Sequence, residues 1–275
     1  MKSDDAASWQ YDEFRQVGTD YGKEAEVQIY DSCHARFRDA EAESGKVLGL
    51  LEIKEDSTVI DFGSGTGTFA IQAARRCAKV YAVDVSKAMI DYAKAKAIEA
   101  GTSNIEFHHS GFLTYQHAAP PAYAVATTFA FHHLPDFWKG IALKRIYLML
   151  QPGGRFYMHD VVLEELNAIE NIAELIAELE GAGGALLRQD AERHFKEEYS
   201  TYDWVLDGLL LRAGFTIKSK QIDGGVLATY LCTKPSCPPK TGSTKGENVA
   251  SSRHSGRSAS PSNKDFQRKS DRNPG

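Results

Sequence analysis

Along the middle of the chain, short apolar runs alternate with stretches of helical spacing. Residues 58–62, Thr-Val-Ile-Asp-Phe, are an apolar run ending at glycines, the pattern of a buried strand. Residues 66–76 then place Phe69, Ala70, Ala73 and Ala74 on one helical face. Residues 80–83 form a second strand. Ser86 is a natural N-cap for a helix over 87–100, and Gly101 ends it. Further strands are expected at 104–108, 123–129 and 155–159. A helix over 138–150 is stopped by Pro152-Gly153-Gly154. Residues 191–213 read as mostly helical and end at Gly214. Residues 216–222 and 226–233 then pair around Asp223-Gly224-Gly225, a hairpin signal. The alternation predicts an α/β fold: a seven-stranded, mostly parallel sheet with helices on both faces and a C-terminal antiparallel hairpin.

Two stretches interrupt this rhythm. Residues 1–53 carry helical patterns and read as an N-terminal helical cap on a domain spanning 54–234. Residues 162–199 read as a helical insertion, with Ile169, Ile172, Ala173, Ile176 and Leu179 at helical spacing. Each is expected either to cover the C-terminal edge of the sheet, where open α/β folds bind ligands, or to add packing helices without ligand contact. Residues 235–275 hold only Val249 and Phe266 as large apolar side chains. Such a segment buries too little surface to offset its chain entropy and reads as a disordered, basic, Ser-rich tail.

Charge sharpens that division. The net charge of −5 combines a tail near +5 with a remainder near −10, which argues against a nucleic-acid-wrapping surface on the fold. No apolar run approaches the ~18 residues needed to span a bilayer. Residues 1–12 lack an apolar signal core, so a cytoplasmic location without membrane attachment is expected. Cys33, Cys77, Cys232 and Cys237 form no Cys-x-x-Cys pair, and free thiols rather than a metal site are expected.

The chemistry centres on Asp61-Phe62-Gly63-Ser64-Gly65-Thr66-Gly67. A glycine-rich turn between strand and helix brings backbone N–H groups close to a ligand. Its spacing is Gly-x-Gly-x-Gly, not the Gly-x-Gly-x-x-Gly of dinucleotide sites, and no Gly-Lys-Ser/Thr follows as in a P-loop. Asp61 would repel a phosphate and suits a ligand with a positive group; the alternative is a strand-end cap. Asp84 ends the second strand and can accept both ribose hydroxyls of an adenosine, or cap the helix that follows.

With these features the chain resembles the class I S-adenosylmethionine (SAM)-dependent methyltransferases over residues 48–233. Leu150-Gln151-Pro152-Gly153-Gly154-Arg155 looks like that family's LxPGG turn. Phe131-His132-His133-Leu134-Pro135-Asp136 resembles a segment of its small-molecule members, including the ubiquinone/menaquinone-biosynthesis type. The resemblance implies a Rossmann-like fold and SAM as cofactor. Asp61, Gly63, Ser64, Gly65 and Gly67 would hold its methionine end and Asp84 its ribose, with Val85 against the adenine. Met89 falls either at the adenine or in the core. The backbone of Phe129 and Ala130 would face the sulfonium. One departure stands out: where the family often carries Gly-Asp after the third strand, with the Asp on the adenine amino group, this chain has Ser110-Gly111-Phe112. Gly111 cannot make that bond, leaving Ser110 or the backbone of Phe112 as substitutes.

Methyl transfer is an in-line displacement governed by positioning, and a general base is needed only when the acceptor must lose a proton. His132 and His133 are the candidate catalytic bases, or packing and capping residues. His159-Asp160 shares the ligand edge, and Tyr30, His34, Tyr199 and Tyr202 are candidate acceptor-pocket residues. The Asn/Asp-Pro-Pro-Tyr/Phe motif of protein and nucleic-acid amino methylators is absent after the fourth strand, where the chain has Thr128-Phe129-Ala130-Phe131. A small-molecule acceptor is therefore favoured. A non-catalytic SAM-binding regulatory module and a methyltransferase of macromolecules are the alternatives.

Overall fold

The computed structural model describes residues 9–15, 17–18, 27 and 39–236. These residues all fall within one compact unit, 1–239. Tyr30, His34, Cys33, Cys237 and the tail beyond Ser236 lie outside the described residues.

Five parallel strands make most of one sheet: β1 (Thr58–Phe62), β2 (Lys79–Asp84), β3 (Ile105–His109), β4 (Ala122–Thr128) and β5 (Leu150–Leu163). A two-residue β6 (Thr201–Tyr202) pairs with the far end of β5. The hairpin β7 (Thr216–Asp223) and β8 (Leu227–Thr233) adds antiparallel to β5. The order is β3-β2-β1-β4-β5-β8-β7, so the chain reverses direction across the sheet between β1 and β4. That switch point opens a crevice at the C-terminal ends of the strands. The sheet path has the expected seven strands, with β6 as an added stub.

The period-two alternation of β1 divides the core between the two faces. Ile60 and Phe62 pack with Val125, Phe156, Met158 and Tyr230 under helices α4 (Asp136–Met149) and α7 (Asp203–Ala213). Val59 points the other way, with Val80, Ala82, Ala124 and Ala126 under α1 (Ala40–Leu50) and α2 (Thr68–Ala74). Both faces are covered, as a parallel sheet requires. Ser86 caps α3 (Lys87–Glu99) as expected, its side chain accepting from the Met89 N–H. Gly224 and Gly225 both take positive φ within the three-residue connection 224–226 that joins the paired Asp223 and Leu227.

One predicted element is divided. The helix expected over 191–213 breaks at residues 198–202, between α6 (Ala185–Glu197) and α7. There the backbone finds other partners: Tyr199 N–H donates to the His132 carbonyl, and Thr201–Tyr202 pairs with Val162–Leu163. Helix α5 (Ala168–Gly183) packs on α6, and the insertion contributes no lining residue to either cavity described below. It touches the turn after β4 through Glu198 and Tyr199, which bond His132. Among the described residues, no helix is long and apolar enough to cross a membrane.

Candidate active site

The glycine loop after β1 is held by main-chain bonds. Gly63 and Ser64 N–H both donate to the Val83 carbonyl, at 2.9 and 3.1 Å. Gly65 N–H donates to Asp84 Oδ2 and Ser86 N–H to Asp84 Oδ1, each at 2.8 Å. Asp84 thus ties the loop to the turn that starts α3. Gly63, Gly65 and Gly67 all have left-handed φ, at 67, 49 and 78°. Their surroundings differ. A Cβ on Gly63 would overlap the Ala130 methyl, and one on Gly67 would lie 2.9 Å from Ala93 Cβ; one on Gly65 meets nothing within 4 Å. Gly65→Ala is therefore expected to cost about 1–2 kcal/mol, the left-handed penalty alone. Gly63→Ala adds a steric clash and should cost clearly more in urea denaturation; equal costs would show that the Ala130 approach is unimportant.

Beside the loop stand buried polar groups without partners. Among the described residues, Asp61 Oδ2, Ser64 Oγ and Thr127 Oγ1 find no hydrogen-bond partner. Burial, reinforced by the charge of Asp84, holds the Asp61 carboxyl well above the usual carboxylate range. Asp84 is also pushed up by burial, opposed by the Ser86 and Gly65 N–H groups. A buried carboxylate lacking a donor is costly, and it fits a site that receives a cationic or hydrogen-bond-donating ligand.

Two cavities meet at this loop, sharing Gly63, Gly65 and Thr128. The first, about 110 Å³, runs past Asp84, Val85, Met89, Ser110, Gly111 and Phe112 to Phe129, Ala130 and His133. The second, about 900 Å³, opens from Asp61, Ser64 and Thr66 toward Tyr157, His159, Thr229 and helix α1. Every residue assigned from sequence to the cofactor lines one of them except Gly67, whose glycine serves the approach of Ala93. Phe129 sits at φ 51°, rare for an aromatic residue. Its N–H donates to the His159 carbonyl and its ring meets the His159 ring edge-on at 4.8 Å.

The two candidate histidines are placed differently. His132 is buried, with Nδ1 2.5 Å from Asp160 Oδ1 and Nε2 3.1 Å from Glu198 Oε2. His194 Nδ1 reaches the same Glu198 oxygen at 2.5 Å. Burial lowers the pKa of His132, but the carboxylates of Asp160 and Glu198 outweigh it and raise it to about 9. The ring is an imidazolium at neutral pH with both nitrogens engaged, so it has no free lone pair to act as a base. Asp160, for which burial is again outweighed by its partners, falls to about 2; it also accepts from the N–H groups of Phe131 and His132. His133 lines the first cavity, and burial together with the neighbouring His132 charge lowers it to about 4. Tyr199 and Tyr202 line neither cavity: the Tyr199 ring meets Tyr11 edge-on, and Tyr202 stacks on Trp204.

Several lining residues were not apparent from sequence. Glu13, Arg15 and Val17 border the first cavity, and Asp39, Glu43 and Val47 the second. They belong to the N-terminal segment, which carries no motif. The only signal was indirect: the missing acidic side chain at Gly111.

Known proteins give the same picture. A family model described as a methyltransferase domain matches residues 59–154. An uncharacterized methyltransferase of Geobacillus kaustophilus is 30% identical over 210 residues, covering 76% of this chain and 90% of the relative. A putative methyltransferase from Bacillus halodurans superposes with a TM-score of 0.57 at 16% identity, covering 70% of this chain and 99% of the other. A SAM-dependent methyltransferase from Aquifex aeolicus superposes with a TM-score of 0.54 at 20% identity, covering 77% and 98%. The chain belongs to the class I SAM-dependent methyltransferases. It is an enzyme of methyl transfer, and SAM is its cofactor.

Proposed function

We propose that this enzyme methylates a small neutral or cationic molecule held in the 900 Å³ cavity. The observation that carries this reading is the lining of that cavity. Among the described residues, Asp39, Glu41, Glu43 and Asp223 line it against Lys46 and Lys96, beside Asp61 at the cofactor end. Acidic walls disfavour a nucleic-acid acceptor, and the volume suits a small ligand.

In this reading Asp61 and the N–H groups of Gly63–Gly67 hold the methionine end of SAM, and Asp84 the ribose. Val85, Ser110, Gly111 and Phe112 enclose the adenine, and Phe129 borders the sulfonium. SAM supplies an activated methyl group on a positive sulfur; the chain supplies position. Phe129 and Ala130 line the first cavity beside Gly63, Gly65 and Thr128, the residues that border both. His132 acts by position, locking the turn that carries His133. For an acceptor that must lose a proton, His159 is the histidine lining the acceptor cavity, with its Nδ1 2.9 Å from Thr229 Oγ1.

Calorimetric titration with SAM, followed by methyl-transfer assays over small amines, phenols and thiols, tests the assignment. Product from at least one small acceptor is expected. Tight SAM binding with transfer only to RNA or protein would overturn it. The raised Asp61 adds a second expectation. A cationic ligand beside Asp61 favours its ionised form, so SAM binding should release a proton and tighten as pH rises. Calorimetry in buffers of different ionisation enthalpy reads that proton directly; none released would remove Asp61 from the cofactor contact.

A further inference from the structure

We propose that Glu13 is the carboxylate that recognises the adenine amino group, reaching in from the N-terminal segment to take the place left by Gly111. The proposal rests on the SAM reading of the site given above.

Gly111 lies outside the left-handed region, so its backbone does not require glycine. What requires glycine is space. A Cβ at this position would sit 2.5 Å from Glu13 Cδ and overlap Oε2. The Glu13 carboxylate therefore occupies the volume that a side chain on residue 111 would fill. It is buried, and it lines the same cavity as Asp84, Val85, Ser110 and Phe112.

The two oxygens are used unequally. Oε1 accepts from Leu113 N–H at 3.1 Å, Thr114 N–H at 2.8 Å and Thr114 Oγ at 2.7 Å. Oε2 accepts only from Leu113 N–H, at 2.9 Å. A carboxylate oxygen can accept two hydrogen bonds, so Oε2 has capacity left at the cavity wall. An exocyclic amino group is a donor of the right kind. The crowded Oε1 fixes the orientation of the carboxylate, as a recognition group needs.

A purely structural role, capping the turn at 111–115, makes a different prediction. That role rests mainly on the acceptor at Oε1, which takes all three donors, with the Leu113 N–H shared between the two oxygens. Glu13→Gln keeps it, because the amide oxygen must face the three donors, and so puts NH₂ where Oε2 stands. An amide there repels an adenine amino group but can donate to the 6-oxo group of hypoxanthine.

The test compares S-adenosylhomocysteine with S-inosylhomocysteine, its 6-oxo counterpart, by calorimetry on the full chain. The wild type should prefer the adenosyl ligand strongly. Glu13→Gln should weaken the adenosyl ligand about tenfold, and narrow or reverse the preference. Equal weakening of both ligands, or no change in either, overturns the assignment. Should Glu13→Gln fail to fold, Glu13→Ala with Gly111→Asp and Val85→Ala decides the matter, read against Glu13→Ala with Val85→Ala. A Cβ at 111 also meets Val85 Cγ1 at 2.7 Å, so both side chains must be shortened to open the space; an Asp there can then cap the Leu113 and Thr114 N–H groups locally while facing the adenine. It should recover the adenosyl preference that Glu13→Ala with Val85→Ala loses, and failure to recover it counts against the proposal. Asp84→Asn, run in parallel, separates the two levels. If it leaves both ligands bound as tightly as before, the cofactor site itself is misplaced; if it weakens both while Glu13→Gln changes neither, only Glu13 is wrong.

Discussion

Asp84→Asn is expected to weaken SAM binding by about 30- to 1000-fold while the chain stays folded. The fold-change follows from the loss of charge-assisted bonds to the ribose, worth about 2–4 kcal/mol in all. The same carboxylate orders the loop: one oxygen holds Gly65 N–H and the other Ser86 N–H. Asparagine keeps one acceptor and replaces the other with a donor, so one of those N–H groups loses its partner. Stability moves less, because a compensating gain exists. Asp84 repels the buried Asp61, which has no partner at Oδ2. Removing the Asp84 charge takes away one of the two causes that keep the Asp61 carboxyl raised, so less unfavourable burial of charge remains in the free protein. Titration calorimetry and thermal melting of the same preparation check both halves. Unchanged affinity would remove Asp84 from the ribose contact, and unfolding would show its role to be structural.

The second large effect is an alkaline loss of stability centred on His132. Its folded pKa, about 9, lies above the ~6.5 of an unfolded histidine. Stability from the imidazolium is therefore complete below pH 6.5, and is lost as pH rises through 9. The window from 6.5 to 9 should cost on the order of 3 kcal/mol. On the acid side, Asp160 and Glu198 are both depressed, so their contribution is present above the unfolded carboxylate range near pH 4 and disappears as pH falls toward 2. The network is strongest between those limits, near pH 5–6. His132→Gln should abolish the alkaline slope. It should also cost about 3–5 kcal/mol near pH 6, since it leaves Asp160 and Glu198 buried without their shared cation. Urea denaturation of both proteins at pH 6 and pH 9 measures this. A slope that survives in His132→Gln would locate the titration elsewhere.

Much of this enzyme was legible in sequence because the relevant forces are local. Apolar runs and helical spacing reveal β1 to β5 and their helices, and burial on both faces leaves its strongest trace in the inner strands β1, β2, β4 and β5. The glycines of 63–67 and Asp84 could be read because left-handed turns and strand-end acids recur at set spacings. The break of residues 191–213 into two helices could not be, because a carbonyl of His132 and a ladder with β5 outbid the helix for the backbone of 198–202. Nor could the separate fates of His132 and His133. Adjacent in sequence, they part because one ring turns toward Asp160 and Glu198 and the other toward the cavity.

By itself, then, the sequence determined the sheet, the glycine loop after its first strand and the family, all written in patterns a few residues to some twenty residues long. The tertiary structure decided what lies against them. Glu13 meets Leu113 from 100 positions away. Such a contact depends on which surfaces the closed fold brings together, and a single carboxylate in a polar N-terminal stretch carries no periodicity to announce it.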